Sequence, residues 1–244
     1  MNNLRGVFKP TMNNFVAFEG LDGCGKTTII NKLKEDFPDF FYTREPGGTK
    51  FSYDVRKAII ESDNKDAYGM TLGMGVSRLH NLLENYDIFT DKNKCIISDR
   101  WVMSNIVYQQ AFDESILKNG KLFKRSSIEL AISFQNMMNE YLGTTINPKY
   151  IFIHIKPETS IARQTDKEDK DKMDNIDLSE KKSIALTYAN TVISGAFGNV
   201  NSIEYINTVE EMEDIGVVYI DGDRQFEEVY KDIVKAIKLC FNIK

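Results

Sequence analysis

The chain has 244 residues, 42% of them hydrophobic, and a net charge of −5 with no long block of one sign. That length and apolar content supply one substantial core, while the acidic, evenly spread charge argues against an extended nucleic-acid or anionic-membrane surface. No apolar run approaches the roughly 18 residues of a membrane span, and Cys24, Cys95 and Cys240 stand alone, without a C-x-x-C pair or a histidine at metal-ligand spacing, which fits a reducing cytosol.

Met1 to Met12 has neither the apolar core nor the cleavage site of a signal peptide, and residues 1–13 read as a disordered N-terminal extension before a single domain, 14–244. The first apolar run, Phe15 to Glu19, leads directly into Gly20-Leu21-Asp22-Gly23-Cys24-Gly25-Lys26-Thr27, a complete G-x-x-x-x-G-K-[ST] phosphate loop, followed by Thr28. The helical spacing of Lys26 to Glu35 supplies the other flank. In a strand–loop–helix setting the amides of such a loop curl around a nucleotide's phosphates, the lysine reaches the β- and γ-phosphates, and the Thr hydroxyl serves Mg²⁺. Cys24, among those amides at a helix N-terminus, is a candidate stabilised thiolate or simply a small residue that the loop tolerates.

A second run, Phe40 to Thr43, leads into Thr43-Arg44-Glu45-Pro46-Gly47-Gly48-Thr49 and a helix from Phe51 to Glu61 that carries Arg56. Pro restricts one φ and the Gly pair permits close approach of a ligand to backbone. A plain turn would explain the glycines but not Arg44, Glu45 and Arg56 together. The helix Ala67 to Phe89 follows, then the strand Cys95 to Ser98 with Asp99-Arg100 at its end. That carboxylate is placed to bind Mg²⁺ and the arginine fork to bind phosphate, unless the two merely cap the next helix. Further helices are expected at Ser126 to Tyr141, Ser179 to Ala196 and Phe226 to Leu239, and further strands at Tyr150 to Ile155 and Val217 to Ile220. The alternation predicts an α/β fold with a parallel five-stranded sheet, helices on both faces and ligands at the carboxyl ends of the strands. Thr165 to Asp174 is too polar for core and reads as a lid, about residues 163–178, or as a solvated loop. No role is legible for 199–216. His80 and His154 read as structural.

The phosphate loop D-G-x-G-K-T-T, the segment T-R-E-P-G-G-T and the pattern D-R-[aromatic]-x-x-S-x-x-x-Y-Q, in this order, resemble the thymidylate kinase family from Phe15 to the C-terminal helix. The resemblance implies a three-layer P-loop kinase fold, transfer of the γ-phosphoryl of Mg-ATP to dTMP, a cytoplasmic homodimer, and no nucleic-acid or membrane partner. By position it implies that Asp22 contacts the acceptor sugar, that Arg56 and Arg100 hold the acceptor phosphate, and that Glu45 and Pro46 shape that site. Arg78 would read an exocyclic oxygen of thymine, Ser104, Tyr108 and Gln109 would line the base and sugar pocket, and Asp99 with Thr27 would serve the metal. A kinase of another nucleoside monophosphate or of a deoxynucleoside, and a nucleotide-binding protein with weakened catalysis, are the rival readings.

Four departures from the family pattern stand out. Met74, between Gly73 and Gly75, occupies the position where the family stacks thymine on Phe, and a thioether replaces a ring only in part. Trp101 stands where Tyr or His is usual. As in family members of the bacterial type, the phosphate loop has no arginine, but where those members compensate with lid arginines the lid here offers Arg163 and then Lys167, Lys170 and Lys172, diluted by Asp166, Glu168, Asp169 and Asp171. The stretch 111–147 is longer than the family norm.

Overall fold

The structure, a computed structural model, describes residues 6–62, 66–118, 127–165 and 176–243. Strand β1 (Phe15–Glu19) feeds helix α1 (Lys26–Asp36), and β2 (Phe41–Arg44) is followed by α2 (Lys50–Glu61), α3 (Ala67–Glu84) and the short α4 (Tyr86–Thr90). Next come β3 (Ile96–Asp99), α5 (Val102–Lys118), α6 (Ser127–Leu142), β4 (Lys149–His154), α7 (Pro157–Thr165) and α8 (Leu178–Ile193). The chain closes through β5 (Asn199–Ser202), α9 (Val209–Glu213), β6 (Ile215–Asp221) and α10 (Phe226–Phe241).

The strands form one parallel sheet in the order β2-β3-β1-β4-β6-β5. All five residues of β1 are buried, as a central strand covered on both faces requires, and its sequence is accordingly apolar without alternation until the final Glu19. Register sets the site. Phe18 of β1 and Arg44 of β2 both lie opposite Asp99 of β3, so the phosphate loop, the turn after β2 and the Asp99-Arg100 pair emerge side by side at the carboxyl edge of the sheet.

Several expectations need correction. The sheet has six strands rather than five. The sixth, β5, is the edge strand N-V-N-S, partly solvated along its length, so it lacks the apolar pattern by which strands are recognised. Residues 6–13 are not a disordered extension: the Gly6 and Phe8 amides donate to Gly195 O and Ala196 O at 2.8 Å. Phe8 is 1% exposed and stacks on Phe197 with ring centroids 5.1 Å apart, and burying one such ring is worth about 2 kcal/mol. Residues 1–5 lie outside the described residues. The helix expected over Ala67 to Phe89 is broken at Asn85 into α3 and α4, and α5, α7 and α9 were not expected. Of the lid range, Arg163 to Thr165 form the end of α7, Asp177 caps α8 through a reciprocal bond with Glu180, and Lys167, Lys170 and Lys172 lie outside the described residues. The stretch 111–147 contributes the end of α5 and all of α6, the latter packing against α3.

Candidate active site

The phosphate loop is wedged between other elements by glycine. At Gly20, with φ 143°, an added Cβ would lie 2.4 Å from Ile153 O of β4, so any side chain there would push the loop off the sheet. Lys26 is buried, and its Nζ donates to Gly20 O at 2.9 Å and Leu21 O at 3.0 Å. These contacts fold the ammonium back across its own loop. Thr27 and Thr28 are exposed, whereas Cys24 turns inward and is buried, with Sγ 3.4 Å from Lys26 Nζ.

A cavity of about 470 Å³ opens along this edge, within the size range of small-molecule sites. It is lined by Lys26, Thr27 and Thr28, by Asp99 and Arg100, by Glu45, Pro46 and Arg56, and by Met74, Arg78, Ser104, Tyr108 and Gln109. Asp22, Gly23, Gly25 and Arg163 line it as well. Every site residue expected from sequence therefore lies on this one cavity except Gly20, Leu21 and Cys24, which face the core side of the loop. Arg44, Ile60, Met70, Trp101, Asn105 and Gln164 join them. His80 and His154 do not line it. His80 stacks on Phe51 at 4.5 Å, with Nδ1 3.1 Å from Thr49 Oγ1, and His154 stacks on Tyr219 at 5.7 Å.

Arg100 is the hub. Its φ is 71°, in the left-handed region, at a cost of about 1–2 kcal/mol for a residue with a Cβ. The surroundings hold it there. Its amide donates to Phe18 O at 2.9 Å; Nη1 donates to Gly20 O at 3.2 Å, Ser104 Oγ at 2.7 Å and Tyr188 Oη at 3.0 Å. Nη2 donates to the Asp22 carboxylate and to Tyr108 Oη, the latter at 3.3 Å. Burial works to raise the Asp22 pKa, but the Arg100 guanidinium and the Lys26 ammonium overcome it and hold that carboxyl well below the usual range. The fully buried Glu19 accepts from the backbone amides of Trp101 at 2.8 Å and Ser104 at 3.2 Å, and from the hydroxyls of Ser104 and Tyr188. Burial pushes the Glu19 carboxyl up, with Arg100 and these hydrogen bonds pulling the other way.

Also on this cavity, Arg78 Nε donates to Glu45 Oε2 at 2.7 Å, and its guanidinium lies 5.5 Å from the Trp101 ring centroid. Trp101 is itself packed edge-on against Phe15 at 4.9 Å. The bond to Glu45 uses Nε and so leaves the terminal fork of Arg78 unspent on it. Asn105 Nδ2 donates to Gln109 Oε1 at 3.0 Å along α5, and these two buried amides line the same cavity as Arg78.

The glycines around Met74 have a packing cause. A Cβ at Gly73 would lie 2.5 Å from Ile59 Cδ1 of α2, and one at Gly75 would lie 2.6 Å from the Phe134 ring of α6. Helix α3 is thus squeezed between two neighbours on its flanks, and Met74, with Met70 one turn earlier and Ile60 of α2, makes the apolar wall of the cavity.

For a divalent cation the donor set is sparse but suitable. Asp99 Oδ1 is buried with no hydrogen-bond partner among the described residues, and Thr27 lines the same cavity. The described residues contain no cluster of three His, Cys, Asp or Glu side chains able to form a protein cage. One carboxylate, a hydroxyl and substrate phosphates are what Mg²⁺ favours. Arg163, at the end of α7, donates from Nη2 to Gly222 O at 3.0 Å, which ties α7 to the turn between β6 and α10.

Sequence reasoning missed Glu19 and Tyr188. Glu19 carried a signal, a carboxylate ending an otherwise apolar buried strand. Tyr188, in the middle of α8, carried none.

The family model for thymidylate kinase matches residues 18–214. Among curated proteins, the thymidylate kinase of Acholeplasma laidlawii is 29% identical over 91% of this chain and 98% of its own length. That of Campylobacter lari is 27% identical over 91% and 98%, and that of Symbiobacterium thermophilum 26% over 93% and 94%. With the phosphate loop, the Arg78–Glu45 pair and Arg100 arranged around one cavity under this match, the chain belongs to the thymidylate kinase family.

Proposed function

We propose that this chain transfers the γ-phosphoryl group of ATP to dTMP, giving dTDP and ADP. The observation that carries the reading is the single cavity that brings Lys26 and Thr27 of the phosphate loop together with Arg56, Arg78 and Arg100, offering cations to donor phosphates and to an acceptor nucleotide alike.

The nucleophile is an already ionised phosphate oxygen of dTMP. It forms a bond to the γ-phosphorus as the bond to the β-phosphate oxygen breaks and ADP leaves, so no general base is required. Alignment and charge neutralisation then carry catalysis. The loop amides and Lys26, once its Nζ leaves Gly20 O and Leu21 O, hold the donor. Arg56 and Arg100 clamp the acceptor phosphate, Asp22 and Tyr108 meet the sugar, and Arg78 donates to a base oxygen, which favours thymine over the amino-bearing edge of cytosine or adenine. Ser104 supports Arg100, while Asn105 and Gln109 face the base beside Met74. Arg163, at the end of α7, supplies a cation for the transferred group, and the lid residues exclude water. Thr27 and Asp99 would hold Mg²⁺, which supplies charge neutralisation on the donor phosphates.

Exposed Leu72, Val76 and Leu83 on α3, spaced along one helical face, and exposed Met137 and Tyr141 on the adjacent α6 support a homodimer through this surface. No described helix is long and apolar enough to cross a membrane, and the free cysteines are in keeping with a cytoplasmic site. Release of ADP measured with dTMP against dUMP, dGMP, dCMP and thymidine, with and without Mg²⁺, tests the activity. A preferred acceptor other than dTMP would overturn it, and sedimentation velocity tests the dimer.

A further inference from the structure

We propose that Glu19 and Tyr188 are a positioning pair for Arg100, a buried carboxylate and phenol that fix the guanidinium in the orientation that receives the acceptor phosphate. The proposal rests on the reading of Arg100 as that clamp.

Proton accounting carries the argument. Glu19 Oε2 receives the hydroxyls of Ser104 and Tyr188, the latter at 3.1 Å. A hydroxyl has one proton to give. The two hydroxyls also lie 2.9 Å apart, where either can donate to the other, but an arginine nitrogen has no lone pair to offer, so however the two protons are shared both oxygens accept from Arg100 Nη1, at 2.7 Å and 3.0 Å. The second carboxylate oxygen, Oε1, takes the amides of Trp101 and Ser104, donors at the start of α5 that have no partner within the helix. One carboxylate therefore holds both the backbone on which Arg100 sits at positive φ and the hydroxyls that aim its side chain.

Neither Glu19 nor Tyr188 lines the cavity, and both are fully buried, so they reach a ligand only through the neighbours whose side chains they bond and that do line it, Arg100 and Ser104. The geometry also explains why a tyrosine stands at this point of α8. Its ring packs on Phe152 at 5.3 Å and edge-on to Tyr108 at 6.2 Å, which a phenylalanine would do equally, whereas only the hydroxyl engages the arginine.

Tyr188→Phe separates packing from positioning. The expected result is a rise of about tenfold in the Kd and KM for dTMP, the typical effect of a lost bond to a charged group, with the KM for ATP within twofold and the melting temperature nearly unchanged. Glu19→Gln, which replaces an acceptor by a competing donor before two hydroxyls, should weaken dTMP at least as much. Calorimetric binding of dTMP in an Arg100→Met background closes the cycle: there Tyr188→Phe should have no further effect. A dTMP Kd within twofold of wild type in Tyr188→Phe, or a loss that persists undiminished without Arg100, would overturn the proposal. Arg100→Met binding dTMP as tightly as wild type would instead remove the clamp reading on which it stands.

Discussion

Arg78 and Glu45 meet inside the protein, Nε to Oε2 at 2.7 Å, with side chains 3% and 2% exposed. The contact ties α3 to the turn after β2. Above about pH 7, where Glu45 is ionised, removing Arg78 leaves an uncompensated buried charge, so Arg78→Met should cost up to about 3–5 kcal/mol of stability there as well as base recognition, measured by urea denaturation at pH 8 and by the KM for dTMP.

The same pair predicts a pH dependence. Burial pushes the Glu45 carboxyl from its ordinary 4.5 up to about 7, against the pull of Arg78. The folded state therefore holds this proton more tightly than the unfolded chain, so the contribution is complete below the unfolded value and is lost as pH rises through about 7. Stability of the wild type relative to Glu45→Gln should be highest at or below about pH 4.5 and fall toward pH 8. A difference that grows with pH would contradict the assignment.

Arg100→Ala should reduce turnover of dTMP by two or more orders of magnitude, because a charge-assisted clamp aligns the attacking oxygen. ATP binding, followed by fluorescent-nucleotide displacement, should survive. Turnover within a few-fold of wild type would show that the acceptor phosphate is held elsewhere.

Arg163→Ala should lower kcat strongly with little change in the KM for dTMP, the pattern of an interaction made mainly in the transition state. Steady-state kinetics on this variant, beside single alanine substitutions of Lys167, Lys170 and Lys172, rank the four cations. A larger kcat loss in a lysine variant would move the catalytic charge beyond the end of α7.

Met74→Phe should lower the KM for dTMP by about fivefold, equivalent to roughly 1 kcal/mol of added stacking, since Met74 faces the cavity and its glycine neighbours face other helices. Gly75→Ala should have the opposite character. It forces a Cβ into the Phe134 ring, so its effect, about 1–3 kcal/mol, should appear in the melting temperature. Unchanged or weaker dTMP binding in Met74→Phe would mean that the base does not lie on this wall.

Cys24 is buried within the phosphate loop, which shields its sulfur from reagents. Alkylation of the native protein followed by peptide mass spectrometry should label the partly exposed Cys95 first and reach Cys24 and Cys240 only on unfolding, whether or not Mg-ATP is present.

The phosphate loop, the Thr43 to Thr49 turn and the Asp99-Arg100 pair were legible in the amino-acid order because each is a contiguous run whose local conformation creates its chemistry: a strand end, a glycine-permitted turn and a helix start. Their meeting at one sheet edge followed from the alternation of strands and helices. What the order of residues could not specify were the partners brought together by packing. Glu19 and Tyr188 bond across 169 positions, Arg78 and Glu45 across 33, and Gly73 and Gly75 are needed only because Ile59 and Phe134 press on them. The polar edge strand β5 and the docked Phe8 belong to the same class. A periodic pattern reports which face of an element is buried, but a buried polar contact depends on the distance between two side chains in space, and that distance exists only once the sheet and its covering helices have been assembled.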